Sequence, residues 1–270
     1  MIDHKDGTKV VAITGSTRGI GYGLANSFLK LGCAVVISSR TPEAVEKAVV
    51  QLSANYSADR ILGCACDVTE FEQVQALWDA AKAHFGKVDI WINNAGLSNP
   101  MMKFWEHDPD RFRAVVETNL VGAMYGCKVA VQGMLEQGFG AIYNLEGFGS
   151  DGRKMDGLTL YGVTKSALRY LDDALVKELE GTPVRIGAFR PGMVITDLVT
   201  GEYDQSSEEW ERAKKVFNII ADRPETVTPW LAEQALQNEK NGARIAWSSS
   251  WKIGLRFLTA RFRKRNLFEE

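Results

Sequence analysis

At 270 residues, with 45% hydrophobic and 24% charged content, the chain has the size and balance of one large globular α/β domain with a sizeable core. Its formal net charge of -2 excludes a general electrostatic pull towards nucleic acid, and no run of eighteen apolar residues offers a membrane-spanning helix. The opening "MIDHKDGTKV" carries no secretory apolar stretch, so the expected location is the cytoplasm or the plastid stroma, with no targeting segment in this chain.

Short β-branched-rich runs recur along the chain: "KVVAIT", "CAVVISS", "ILGCACDV", "VDIWIN", "GAIYNL", "VRIGAF" and finally "GARIAW" at 242–247. Segments with helical spacing separate them, among them Glu70 to Phe85 and Arg111 to Gln137. Strands that are apolar throughout and alternate with helices predict a parallel sheet covered on both faces. "HDPDRF" starts a helix well, with Asp108 as cap and Pro109 at the first helical position. Nothing splits residues 1–250, and 251–270 read as a separate basic amphipathic tail. The four cysteines, Cys33, Cys64, Cys66 and Cys127, are scattered; "CAC" is too tight for a zinc pair, so free thiols and no metal are expected.

The first strand ends in "TGSTRGIG", Thr14 to Gly21. Gly15, Gly19 and Gly21 permit a sharp turn and close backbone approach to a pyrophosphate. Ser16, Thr17, Arg18 and Ile20 complete the loop that delivers the next helix's N–H groups to the anion. At the end of the second strand Ser39 and Arg40 replace the carboxylate that would hold a ribose diol. A hydroxyl and a cation there, with Arg18 opposite, suit a 2′-phosphate and predict NADPH over NADH. Asp67 and Val68, ending the third strand, are placed to meet the adenine.

Tyr161 and Lys165 in "YGVTK" lie one turn apart on one helix face. A hydride arriving at a carbonyl carbon leaves an alkoxide that needs a proton, and Tyr161 is the candidate donor. An ammonium at Lys165 stabilises the phenolate and lowers the phenol's pKa, and it can also hold the nicotinamide ribose.

The glycine turn, "NNAG" at 93–96, Asn119 in "ETNLVG", "YGVTK" and "RPGMVITD" at 190–197 occur in one order that resembles the short-chain dehydrogenase/reductase family over nearly the whole chain. The resemblance implies a single-domain Rossmann-type doubly wound sheet of about seven strands, a nicotinamide cofactor, and a homodimer or tetramer. It also implies that Asn94, Ala95 and Gly96 line the cofactor channel, that Pro191, Gly192 and Thr196 meet the nicotinamide end, and that Asn119 anchors a proton-relaying water.

One departure stands out. The family's usual serine falls at Gly147, fourteen residues before Tyr161, with Glu146 before it and Ser150 after it. "NLEGFGSDGR", "FNIIADRPETV" and the tail resemble the chlorophyll(ide) b reductase branch, which implies NADPH-dependent reduction of a ring formyl group to hydroxymethyl. The alternatives are a reductase of another bulky apolar ketone or aldehyde, and an inactive cofactor-sensing scaffold. Ser150 is the first candidate to replace the serine and the backbone N–H groups of 147–149 the second. Glu146, Phe148 and Met193 are candidate substrate residues; Met101, Met102, Phe104 and Trp105 offer further apolar surface, and Met193 to Phe217 a flap. His4, His84 and His107 are isolated. In the tail, Lys252, Arg256, Arg261, Arg263, Lys264 and Arg265 accompany Trp251, Leu255, Leu258 and Phe262 at helical spacing, a pattern suited to peripheral contact with an anionic membrane or a pigment–protein complex.

Overall fold

Seven β-branched segments become seven parallel strands of one sheet, in the order β3-β2-β1-β4-β5-β6-β7. They are β1 (Val10–Ile13), β2 (Ala34–Ser39), β3 (Ile61–Ala65), β4 (Ile90–Asn93), β5 (Gly140–Leu145), β6 (Val184–Arg190) and β7 (Ala243–Ala246). The computed structural model describes residues 7–201, 203, 205–260, 262 and 265–268. Positions in β1 and β4 are buried throughout, as both-sided coverage of a parallel sheet demands.

Helices α1 (Gly19–Lys30), α2 (Pro42–Ser53) and α9 (Pro224–Gln237) pack Leu24, Phe28, Leu52, Val227 and Leu231 on one face of the sheet. On the other face α3 (Phe71–Phe85) and α5 (Gly122–Gln137) contribute Leu77, Trp78, Val129 and Met134. Strand order reverses between β1 and β4, so a crevice opens there at the carboxyl ends of the strands.

The helix expected over 111–137 begins at α4 (Pro109–Val116), where the Asp108 carboxylate accepts the Asp110 N–H at 2.8 Å. It is interrupted by a π-helical turn at Glu117–Val121 before continuing as α5. Side-chain periodicity hides such a turn, and it carries Asn119; turns of this kind cluster at functional sites. Helix α6 (Thr159–Glu178) carries Tyr161 and Lys165, and α7 (Asp197–Thr200) and α8 (Glu208–Ile220) form the segment after β6.

Helix α10 (Ser250–Thr259) turns Lys252 and Arg256 inward. Lys252 donates to the Trp247 carbonyl at 3.2 Å, and Arg256 and Arg265 both bind the buried Asp222. Trp251, Leu258 and Phe262 face outward, 78%, 75% and 84% exposed. A buried carboxylate attracts guanidinium groups more strongly than water does, and that contact sets the helix's rotation. Arg261, Arg263, Lys264 and His4 lie outside the described residues. Among the described residues no helix is long and apolar enough to cross a membrane.

Candidate active site

The crevice at the strand reversal encloses about 530 Å³. Its floor is the turn after β1. Gly15 has φ +61°, and a Cβ there would lie 2.8 Å from the Ala95 Cα. The Asn94 amide donates to the Thr14 and Gly15 carbonyls at 2.9 and 2.8 Å, while the Thr14 hydroxyl accepts the Asn94 and Ala95 N–H groups. A Cβ at Gly21 would lie 2.4 Å from the Asn94 Nδ2, so the glycine turn and the "NNAG" loop interlock only without side chains. Helix α1 starts against this turn with no side-chain cap and no acid in its first turn, leaving its N–H groups available to a pyrophosphate.

Thr17, Arg18, Gly19, Ile20, Ser39, Arg40, Asp67, Val68, Gly96 and Thr196 all line the same crevice. Ser16 does not: its buried hydroxyl donates to the Ile13 carbonyl at 2.7 Å and accepts the Ser38 N–H at 2.9 Å, fastening β1 to β2. Arg18 lies 3.4 Å from Asp197, across the mouth, with both side chains exposed. The glycine turn and the cations Arg18 and Arg40 thus line one crevice.

Tyr161 and Lys165 close the inner end. The Tyr161 N–H donates to Asn99 Oδ1 at 2.9 Å, and the Asn99 amide donates to the Gly157 carbonyl at 2.8 Å, pinning the start of α6. Lys165 donates to the Leu145 carbonyl at 2.9 Å, and its Nζ lies 5.6 Å from the Tyr161 ring centroid. Burial raises the Tyr161 phenol well above its ordinary value, contrary to the acidified phenol expected from Lys165. Burial also brings the Lys165 ammonium down to about 8, against the opposing pull of Asp172 and Glu146. Desolvation outweighs the cation at this site because both groups are enclosed together.

Below them Asp172 is pushed up to about 7, by burial first. It is bonded to the Asn144 amide, which also accepts from Asn93 at 2.7 Å. Asn119 sits behind the crevice wall: its amide donates to the Leu97 carbonyl at 2.9 Å and to the Thr164 hydroxyl at 3.2 Å, and its Oδ1 accepts the Leu97 N–H at 2.7 Å. It braces the wall against α6.

The loop at the serine position is built around a carboxylate. Glu146 Oε1 lies 3.0 Å from Arg244 Nε, and Oε2 lies 3.0 Å from Arg190 Nε and 3.1 Å from the Ser150 hydroxyl that donates to it. The Glu146 side chain is 1% exposed. Arg190 reaches on to Asp151 and Arg244 to Asp173, at 2.9 and 2.8 Å. Glu146 and Ser150 therefore satisfy each other and the arginines. At Gly147 a Cβ would lie 2.3 Å from the Tyr161 hydroxyl, so the phenol occupies the space a side chain would need. Phe148 is half-buried beneath the Arg153 guanidinium, and Met193 packs towards Trp210 and Phe217 instead of the crevice. Pro191 and Gly192 do not line the crevice, and a side chain at Gly192 would meet Ser248.

Lining residues that escaped the sequence reading include Leu97, Ile195, Asp197 and Arg223. "FNIIADRPETV" contains Arg223 and signalled a branch likeness, but nothing in it placed that residue beside a nucleotide crevice 200 residues from the glycine turn.

A family model described as short chain dehydrogenase matches residues 9–207. The chain belongs to the short-chain dehydrogenase/reductase family. Among relatives of this short-chain dehydrogenase, the "Probable chlorophyll(ide) b reductase NYC1, chloroplastic" of Oryza sativa subsp. japonica is 35% identical over 98% of this chain and 55% of its own length. The "Chlorophyll(ide) b reductase NOL, chloroplastic" of the same plant is 40% identical over 82% of this chain and 64% of its own. The chain thus spans little more than half to about two thirds of these relatives. A Brucella melitensis 3-ketoacyl-(acyl-carrier-protein) reductase complexed with NADH superposes with TM-score 0.77 and 26% identity, covering 90% of this chain and 98% of that one. ElxO with NADP bound does so with TM-score 0.75 and 27% identity, over 88% and 96%. One fold holds either nucleotide, so the choice lies in local residues.

Glu146→Ala leaves two guanidinium groups facing an empty buried site. It is expected to cost about 3 kcal/mol of unfolding free energy, the low end for a broken buried pair because both arginines are partly solvated. Urea denaturation measures it; a loss below ~1 kcal/mol would show that the arginines hold the loop without the carboxylate.

Proposed function

We propose that this protein reduces the ring formyl group of chlorophyll b or chlorophyllide b to hydroxymethyl, using NADPH. The observation that carries the reading is the Tyr161 hydroxyl seated over a side-chain-free Gly147 beside Lys165, in a loop whose acidic residue is neutralised by Arg190 and Arg244. The likeness to two chlorophyll(ide) b reductases supports the substrate. The cations Arg18 and Arg40 at the crevice, with no carboxylate ending β2, support NADPH.

A bound reduced nicotinamide supplies the hydride. Because burial keeps the Tyr161 phenol protonated near neutrality, Tyr161 delivers the proton to the nascent alkoxide oxygen. Lys165, charged below about 8, stabilises the phenolate left behind. Glu146 is held away from the reacting oxygen by its two arginines, which removes the repulsion that an unpaired carboxylate would exert. Ser150 is engaged by Glu146, so polarising the formyl oxygen falls to the backbone N–H groups of Gly147 to Gly149. The missing side chain at Gly147 leaves room for the Tyr161 hydroxyl. Exposed Met102, Phe104 and Trp105 form an apolar shelf, tied to the loop before α6 by the Lys103–Asp156 ion pair. The outward Trp251, Leu258 and Phe262 offer contact with a membrane or pigment–protein complex, and a homodimer or tetramer is the assembly proposed.

Anaerobic incubation with NADPH and chlorophyllide b, followed by pigment chromatography, is expected to yield the hydroxymethyl product. Reduction of other bulky carbonyls in its place would move the substrate assignment. Tyr161→Phe is expected to lower turnover at least ~1,000-fold while NADPH still quenches protein fluorescence. The reduction rate is expected to fall as pH rises through about 8, since Lys165 is charged below that value and neutral above it. A flat rate between pH 7 and 10 would remove Lys165 from the mechanism. Gly147→Ser, which restores the family's usual residue, is expected to slow reduction at least ~10-fold by displacing the phenol. A faster variant would contradict the role given to Gly147.

A further inference from the structure

We infer that Asp222 is a positioning residue through which the C-terminal segment, Trp247 to Phe268, sets the nucleotide affinity of the crevice. The inference rests on the reading that the crevice holds a nicotinamide nucleotide. It adds a determinant that lies beyond the part of the chain shared with the family model, which ends at residue 207.

Asp222 is joined through its backbone to the segment that leads into the crevice wall. Its N–H donates to the Met193 carbonyl and its carbonyl accepts the Ile195 N–H, both at 3.0 Å, forming a parallel bridge with Val194. The residues that follow on each strand of this bridge, Ile195 and Thr196 on one side and Arg223 and Pro224 on the other, line the crevice. Holding Asp222 therefore holds two walls at once.

Among the described residues its side chain is held by partners in the C-terminal segment. Oδ2 accepts from the Trp247 indole N–H at 2.7 Å and from Arg256 Nη2 at 2.8 Å, and Oδ1 accepts from Arg265 Nη2 at 2.8 Å. The carboxylate is only 4% exposed. Burial would raise its pKa, but the indole and the guanidinium groups more than offset that and keep it below the usual carboxylate range. The same arginines bind the end of α8: Arg256 Nη1 donates to the Ile220 carbonyl at 2.9 Å and Arg265 Nη1 to the Ile219 carbonyl at 3.4 Å. Phe268 closes the arrangement against Trp210, ring centroids 5.2 Å apart. Remove either guanidinium and a buried carboxylate loses a charged partner directly behind two walls of the crevice.

The test compares wild type with Asp222→Asn, Arg256→Ala, Arg256→Lys and Arg265→Ala. NADPH affinity is read by fluorescence titration without any carbonyl substrate, and thermal unfolding is read in parallel. Asp222→Asn and Arg256→Ala are expected to raise the NADPH Kd at least ~10-fold while unfolding stays cooperative, and Arg256→Lys to recover part of the loss. Arg265→Ala, which removes the cation bonded to only one Asp222 oxygen, is expected to give an intermediate Kd and keeps the comparison available if Asp222→Asn does not fold. Lowered melting temperatures with an unchanged Kd in the folded variants would overturn the inference, because a merely structural contact behaves that way. Wild type that binds neither NADPH nor NADH would overturn the nucleotide reading and this inference with it, whereas failure to reduce chlorophyllide b leaves the Kd comparison intact and rejects only the substrate.

Discussion

The centre of this molecule is a steric exchange: a phenol hydroxyl stands where a neighbouring residue would otherwise carry its Cβ. Gly147 and the Tyr161 Oη cannot both have more volume than they have, since the 2.3 Å between the hydroxyl and that Cβ is far inside van der Waals contact. The glycine leaves the Tyr161 hydroxyl at the end of the crevice, and the loop around it is held from elsewhere.

Glu146 does that holding. A carboxylate with 1% side-chain exposure is costly to bury alone, and here two guanidinium groups and a hydroxyl surround it. The two arginines come from β6 and β7, so the loop is anchored to the last two strands of the sheet. Asp222 repeats the pattern on the other side of the crevice, where a buried carboxylate collects Arg256 and Arg265 from the C-terminal segment. Both walls of the site are fixed by buried acids whose partners lie far along the chain.

That distance explains what could be read from the sequence. The seven strands, the glycine turn and the Tyr161–Lys165 pair were legible because each is a local pattern of period or spacing. Glu146 read as a candidate substrate residue because Arg244, 98 residues later, gave no local sign of pairing with it. The inward turn of Lys252 and Arg256 on α10 was not legible for the same reason: helical periodicity shows which residues share a face, but not which way that face turns. The π-helical turn beneath Asn119, the clamp made by Asn99 and the crevice position of Arg223 belong to the same class of long-range fact. The raised pKa of Tyr161 came from enclosure, a property of the folded packing that spacing to Lys165 does not report.

A crystal structure of the NADPH complex tests the account most directly. It is expected to show the Tyr161 hydroxyl over Gly147, pointing into the crevice beside the nicotinamide, with Glu146 still bound by Arg190 and Arg244. A Tyr161 ring turned away from the nucleotide, or a Glu146 carboxylate released into the crevice, would contradict it.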